Sequence, residues 1–91
     1  MVVPGIAYRR KDAIATTQMD GETVMMDTEQ GKYFGISGSG KHLWDLLVEP
    51  QDLDGLTGKV CAAYDVELEV AHADVAAFLS RLLDRQLIQK V

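Results

Sequence analysis

The side chains of this chain that could do chemistry are few and poorly grouped. Cys61 is the single cysteine, and a thiol nucleophile needs a neighbouring base to take its proton. His42 and His72 lie on either side of it in separate segments, and the run Val60-Cys61-Ala62-Ala63 has nothing of a nucleophile motif. A free cysteine among apolar neighbours reads as a small buried hydrophobe, and the two histidines read as helix-surface residues. Asp65, Glu67 and Glu69 are the nearest group of carboxylates; without the glycine and ligand number of a calcium loop they read as a solvated acidic turn. Gly38-Ser39-Gly40-Lys41 could present backbone amides to a phosphate. His42 follows Lys41, however, where a P-loop requires Ser or Thr to hold magnesium, so the segment reads as a glycine-rich strand-to-helix turn. No catalytic residue or metal ligand is assigned, no cofactor is expected, and the chain reads as a non-enzyme.

Composition directs attention to a binding role. Ninety-one residues suffice for one domain around one core. A hydrophobic fraction of 47%, 25% charged residues and a mean hydropathy of -0.02 describe an ordinary globular chain. Nine Lys and Arg against fourteen Asp and Glu leave a net charge of -5, which repels a phosphate backbone, and the only basic cluster is Arg9-Arg10-Lys11. No nucleic acid is expected as a partner. The lone cysteine fits a reducing compartment. The apolar runs fall short of the ~18 residues a spanning helix requires, so no membrane partner is expected and the location is read as cytoplasmic.

Short strands followed by helices must position whatever binds. Pro4-Gly5 and the charged run at 9–12 mark residues 1–12 as a loosely held segment ahead of a domain spanning 13–91. Asp20-Gly21 between two β-prone runs is a hairpin signal, giving strands at about 13–19 and 22–28, with Val24 and Met26 as the core-facing pair. Gly31 can take the left-handed position of a second turn, leading into a third strand, Lys32 to Ile36. Ser37 and Ser39 offer an N-cap for a helix carrying Leu43, Leu46 and Leu47, widened by Trp44 and Val48 and ended by Pro50. Asp52 caps a second helix with Leu53, Leu56, Val60, Ala63 and Tyr64 on one face. Residues 65–70 read as a connection or short extended segment. A third helix at about 72–85 carries Val75, Phe78, Leu79 and Leu82 at helical spacing, with Leu83 and Ile88 extending its apolar surface. The fold class is α+β and winged-helix-like: a three-stranded antiparallel sheet, then three helices. As a recognition helix the second offers only Lys59, and the third sets Arg81 and Arg85 against Asp74 and Asp84, which disfavours duplex binding.

The positive feature is the third strand. In a meander it is a sheet edge, protected by one charge and no proline, and such an edge accepts an added strand whose side chains enter adjacent pockets. Tyr33, Phe34, Val75, Phe78 and Leu82 could line these pockets or simply be core. The backbone groups facing the added strand belong to Tyr33 and Gly35 or to Lys32, Phe34 and Ile36.

One set of residues carries a resemblance. The runs Val24-x-Met26-Asp27-x-x-x-Gly31-x-Tyr33-Phe34-x-Ile36 and Leu43-Trp44-x-Leu46-Leu47-x-x-Pro50 come first. Leu56 follows with Tyr64-Asp65-Val66, then Asp74-Val75-x-x-Phe78-Leu79-x-x-Leu82 with Leu87-Ile88. Together, over residues 13–90, they resemble the PqqD-like family of RiPP recognition elements, and most of all the stand-alone leader-binding proteins of lasso-peptide clusters. The resemblance implies a winged-helix-like domain that binds the leader of a ribosomally made precursor peptide as a further strand. That leader would lie along Lys32, Tyr33, Phe34, Gly35 and Ile36, against a helix wall drawn from Asp74, Val75, Phe78, Arg81 and Leu82. It also implies two partner enzymes, a transglutaminase-like cysteine protease that removes the leader and an ATP-dependent macrolactam synthetase. Within the family the alternative is a carrier for a radical-SAM enzyme; outside it, a winged-helix DNA-binding regulator. Gln86 stands where many relatives have glycine, so the third helix is expected to end without a left-handed cap or to run slightly longer. Asp52 replaces a threonine cap with an equivalent one. The net charge of -5 favours a leader bearing Lys or Arg.

Overall fold

Among the described residues eight elements follow one another: β1 (Tyr8–Arg10), β2 (Ile14–Met19), β3 (Glu22–Asp27), β4 (Lys32–Ile36), α1 (Ser39–Leu46), α2 (Leu53–Ala63), α3 (Leu68–Asp84) and β5 (Ile88–Lys90). The computed structural model describes residues 2–3, 5–36 and 39–91; Pro4, Ser37 and Gly38, read above as parts of a turn and a helix cap, lie outside them. β2, β3 and β4 form an antiparallel meander in that spatial order. Its first turn is the expected one, with Asp20 and Gly21 at φ of 51° and 81°, the positive values a two-residue hairpin turn needs. Gly31 at φ 69° closes the second.

The inward face of β3 is the reverse of that expected. Thr23, Met25 and Asp27 are buried, while Val24 and Met26 are half-buried on the outer face. The polar pair tolerates burial because each member is satisfied locally. Thr23 Oγ1 accepts from Gln18 Nε2 at 2.9 Å, and Asp27 Oδ1 accepts the N–H groups of Glu29 and Gln30 at 2.9 and 3.1 Å, shaping the turn into β4.

The expectation of a loosely held segment at 1–12 is corrected at Tyr8–Arg10. These residues form β1, which pairs with β5 in the register Tyr8↔Lys90 and Arg10↔Ile88. On its other side Tyr8 exchanges two backbone hydrogen bonds of 2.8 Å with Gln51, and the Arg10 N–H donates to the Leu47 carbonyl at 2.9 Å. The Tyr8 side chain is fully buried, its hydroxyl accepting from the Val3 N–H at 2.9 Å. Three-residue strands made by distant partners leave no local period to read.

Two helix readings also shift. Val48, expected to widen the stripe of the first helix, lies beyond the end of α1 and is exposed. Ala63 and Tyr64 are exposed too, so the buried stripe of α2 is Leu53, Leu56, Thr57 and Val60; its Asp52 cap is as expected, accepting the Gly55 N–H at 2.7 Å. α3 begins at Leu68, taking in part of the segment read as extended. Glu67 supplies the N-cap backbone, its carbonyl accepting the Ala71 N–H at 2.9 Å, and Glu69 in the first turn suits the positive end of the helix dipole. At the other end Gln86 adopts φ 60°. Its N–H reaches the Leu83 carbonyl at 3.0 Å, and that of Leu87 reaches Leu82 at 2.9 Å, the double bond pattern of a left-handed helix cap. Gln86 therefore does what glycine does elsewhere. The core gathers Trp44, Tyr8, Leu47, Leu56, Leu79 and Leu87, all fully buried. Trp44 Nε1 donates to Thr16 Oγ1 at 3.0 Å, fixing α1 to the inward face of the sheet.

Candidate functional site

The backbone of β4 shows which of its residues face outwards. A two-residue hairpin closes on a hydrogen-bonded pair, here Met19 with Glu22, and alternation makes Thr17 with Val24 and Ala15 with Met26 bonded pairs as well. The Thr28 N–H continues the series to the Ala13 carbonyl at 3.2 Å. Val24 and Met26 thus bond β2, which leaves Thr23, Met25 and Asp27 to bond Ile36, Phe34 and Lys32 across the second ladder. The N–H and C=O of Tyr33 and Gly35 accordingly point out of the sheet, and among the described residues no strand pairs with that side of β4.

Beside this edge runs a groove between β4 and α3. One part, of 280 Å³, is bordered by Tyr33, Phe34, Gly35 and Ile36 and by Phe78, Arg81, Leu82 and Arg85, with Met25 and Leu87 beneath. A second part, of 460 Å³, continues from Gly35, Ile36 and Phe78 past Arg81 and Ala77 to Gly40, Leu43 and Asp74. β4 and α3 run in opposite directions along it, since Phe34 lies with Arg85 and Ile36 with Asp74. Eight of the ten residues expected at the site border this groove: Tyr33, Phe34, Gly35, Ile36, Asp74, Phe78, Arg81 and Leu82. Val75 does not. It is buried and borders a separate hollow with Val60 and Ala71 on the α2 side. Lys32 is exposed at the start of the strand and borders neither part.

Phe78 and Leu82, at 7% and 3% exposure, belong to the core and to the groove floor together. Met25 was missed because its strand face was read in reverse. Arg85 was legible, standing four residues after Arg81 on the same helical face. Gly40 gives no sequence signal: a Cβ there would stand 3.2 Å from Phe78 Cε1 and 3.7 Å from Ile36 Cβ, so its hydrogen lets α1 approach the groove floor.

The groove has its own electrostatics. The Arg81 guanidinium lies 5.8 Å from the Phe78 ring centroid and that of Arg85 lies 5.1 Å from the Phe34 ring, both within cation–π reach. The ion pairs among the described residues are elsewhere: Arg9 with Asp12 at 2.9 Å, Lys41 with Asp45 at 3.7 Å and, when protonated, His72 with Asp54 at 3.8 Å.

Cys61 is half-buried in α2, and His42 packs edge-on against Tyr64 with ring centroids 6.0 Å apart. Among the described residues no group of three or more His, Cys, Asp or Glu could hold a metal ion, and no helix is long and apolar enough to cross a membrane.

A family model for coenzyme PQQ synthesis protein D (PqqD) matches residues 22–88. No curated protein matches the chain. Among solved structures, the chain is similar to TbiB1 in complex with the TbiA(beta) leader peptide. The two are 28% identical, with a TM-score of 0.80 over 89% of this chain and 94% of that one. It shares its fold with a lasso peptide synthetase B1 complexed with the leader peptide, 21% identical with a TM-score of 0.78 over 90% of this chain and 96% of that one.

Proposed function

The chain belongs to the PqqD family, and from that premise we propose that it is a recognition element that captures the leader of a ribosomally made precursor peptide by strand addition to β4. The observation that carries the proposal is the pair of outward backbone positions, Tyr33 and Gly35, beside a groove floored by Met25, Phe78, Leu82 and Leu87. Two outward N–H groups and two outward carbonyls supply the ladder, and the groove receives alternate side chains of the added strand. Similarity to a protein solved with its leader peptide supports this reading. The domain needs no catalytic residue for such a task. A disordered leader is ordered only where it pairs, and the attached core peptide is thereby concentrated beside an enzyme. The pathway we propose is lasso-peptide maturation, with a cysteine protease and a macrolactam synthetase as the enzymes served, in the cytoplasm. The motif resemblance supports that branch over a radical-SAM carrier.

Fluorescence anisotropy with the synthetic leader of the cognate precursor tests the proposal. Gly35→Pro removes an outward N–H at an edge, where proline is tolerated, and is expected to abolish capture while circular dichroism stays native. Phe34→Pro removes a bond to β3 and is expected to damage the sheet instead. Undiminished leader affinity in a folded Gly35→Pro variant would place the site elsewhere, and saturable binding of duplex DNA without leader binding would favour a regulator.

A further inference from the structure

The groove does not share the charge of the molecule. The net charge of -5 suggests a basic ligand, yet the α3 wall presents Arg81 and Arg85, and neither has a carboxylate within ion-pair distance among the described residues. Each guanidinium lies near an aromatic ring, Phe78 or Phe34. A guanidinium held near a ring in this way spends none of its N–H donors on a carboxylate, and its fork of donors is the group that receives a carboxylate in two parallel hydrogen bonds. Among the described residues the one acid bordering the groove, Asp74, stands at the opposite end beside Gly40 and Leu43. The groove is therefore polarised, positive beside Phe34 and negative beyond Ile36.

Spacing turns this polarity into a sequence preference. Arg81 and Arg85 are separated by about 6 Å of helix rise, while alternate residues of an extended chain, which share a face, are about 6.6 Å apart. A strand laid on β4 thus brings successive inward side chains past the apolar floor and the arginine wall in matching steps. We propose that the groove reads an acidic leader. The captured segment carries Asp or Glu facing Arg81 or Arg85, two positions from an aliphatic or aromatic residue that enters the floor. This rests on the leader-capture reading. The acid belongs at the Phe34 end, because at the other end it meets the like charge of Asp74.

A phage-displayed library of random peptides, selected on the full chain and counter-selected on Gly35→Pro, tests the inference without knowledge of the natural leader. The winning peptides are then titrated in fluorescent synthetic form. The expected winners carry Asp or Glu at a fixed spacing of two from a large apolar residue. Their affinity is expected to fall about tenfold or more on Arg81→Gln/Arg85→Gln, and Arg85→Glu is expected to restore binding to a peptide whose acid is exchanged for Lys. Circular dichroism of each variant separates lost contacts from lost fold. Winners that need the Gly35 edge but lack acidic enrichment, and that bind the double-glutamine variant equally well, overturn the acidic preference and leave leader capture standing. No peptide that distinguishes the native chain from Gly35→Pro overturns both.

Discussion

Gln86 holds the left-handed position at the end of α3, with φ 60°, where a side chain costs about 1–2 kcal/mol relative to glycine. The Gln30 Nε2 to Gln86 Oε1 bond of 3.1 Å is exposed and returns little of this. Replacing Gln86 by Gly frees the unfolded chain by about 0.4–1 kcal/mol. The net expectation is a gain of about 0.5–1 kcal/mol, read as a higher urea midpoint with an unchanged slope. Individual residues were legible where their bonding is local, as with Asp52 at its cap and Gly31 in its turn. They were illegible where hydrogen bonding overrode polarity: Thr23 and Asp27 look like outward residues until Gln18 and the amides of Glu29 and Gln30 are seen to satisfy them.

At the scale of elements, β4 has two kinds of amide. Phe34 and Ile36 bond β3, and Tyr33 and Gly35 face the open edge. Hydrogen exchange followed by NMR is expected to show Phe34 and Ile36 protected in the free protein and Tyr33 and Gly35 exchanging fast, with the second pair becoming protected on addition of leader. Protection of Gly35 in the free monomer would mean that the edge already has a partner. The strand itself was visible in the sequence as Lys32 to Ile36; the parity was not, because it is passed on from the Asp20-Gly21 turn through the whole of β3 and not set by the strand's own residues. α3 was recognised through Val75, Phe78, Leu79 and Leu82, but its first turn carries Leu68 and Val70 exposed, so no apolar stripe announces it. β1 and β5 escaped notice for a related reason: each is three residues long and pairs with the other across the length of the chain, β1 being bridged by Gln51 as well.

The whole molecule is tied at that seam. β1 lies between β5 and the connection from α1 to α2, and Tyr8 is fully buried in the core. Tyr8→Ala is expected to cost about 3–5 kcal/mol, the range for emptying a large aromatic site, against a total of about 5–15 kcal/mol for a domain. Deleting residues 2–10 is expected to abolish cooperative unfolding altogether. Urea titration followed by the fluorescence of Trp44, the single tryptophan, measures both; a truncated chain that still unfolds in one sharp step would show that the core closes without β1. The same seam has a use in engineering. Tyr8 stands opposite Lys90 in one antiparallel ladder, where paired Cα atoms are about 5 Å apart. A host protein therefore needs to open a single surface loop to receive the domain, its two splice joints entering side by side. Grafted in this way into a catalytic scaffold, the domain would act as a cassette, lending its host a docking arm for any substrate that carries the matching leader.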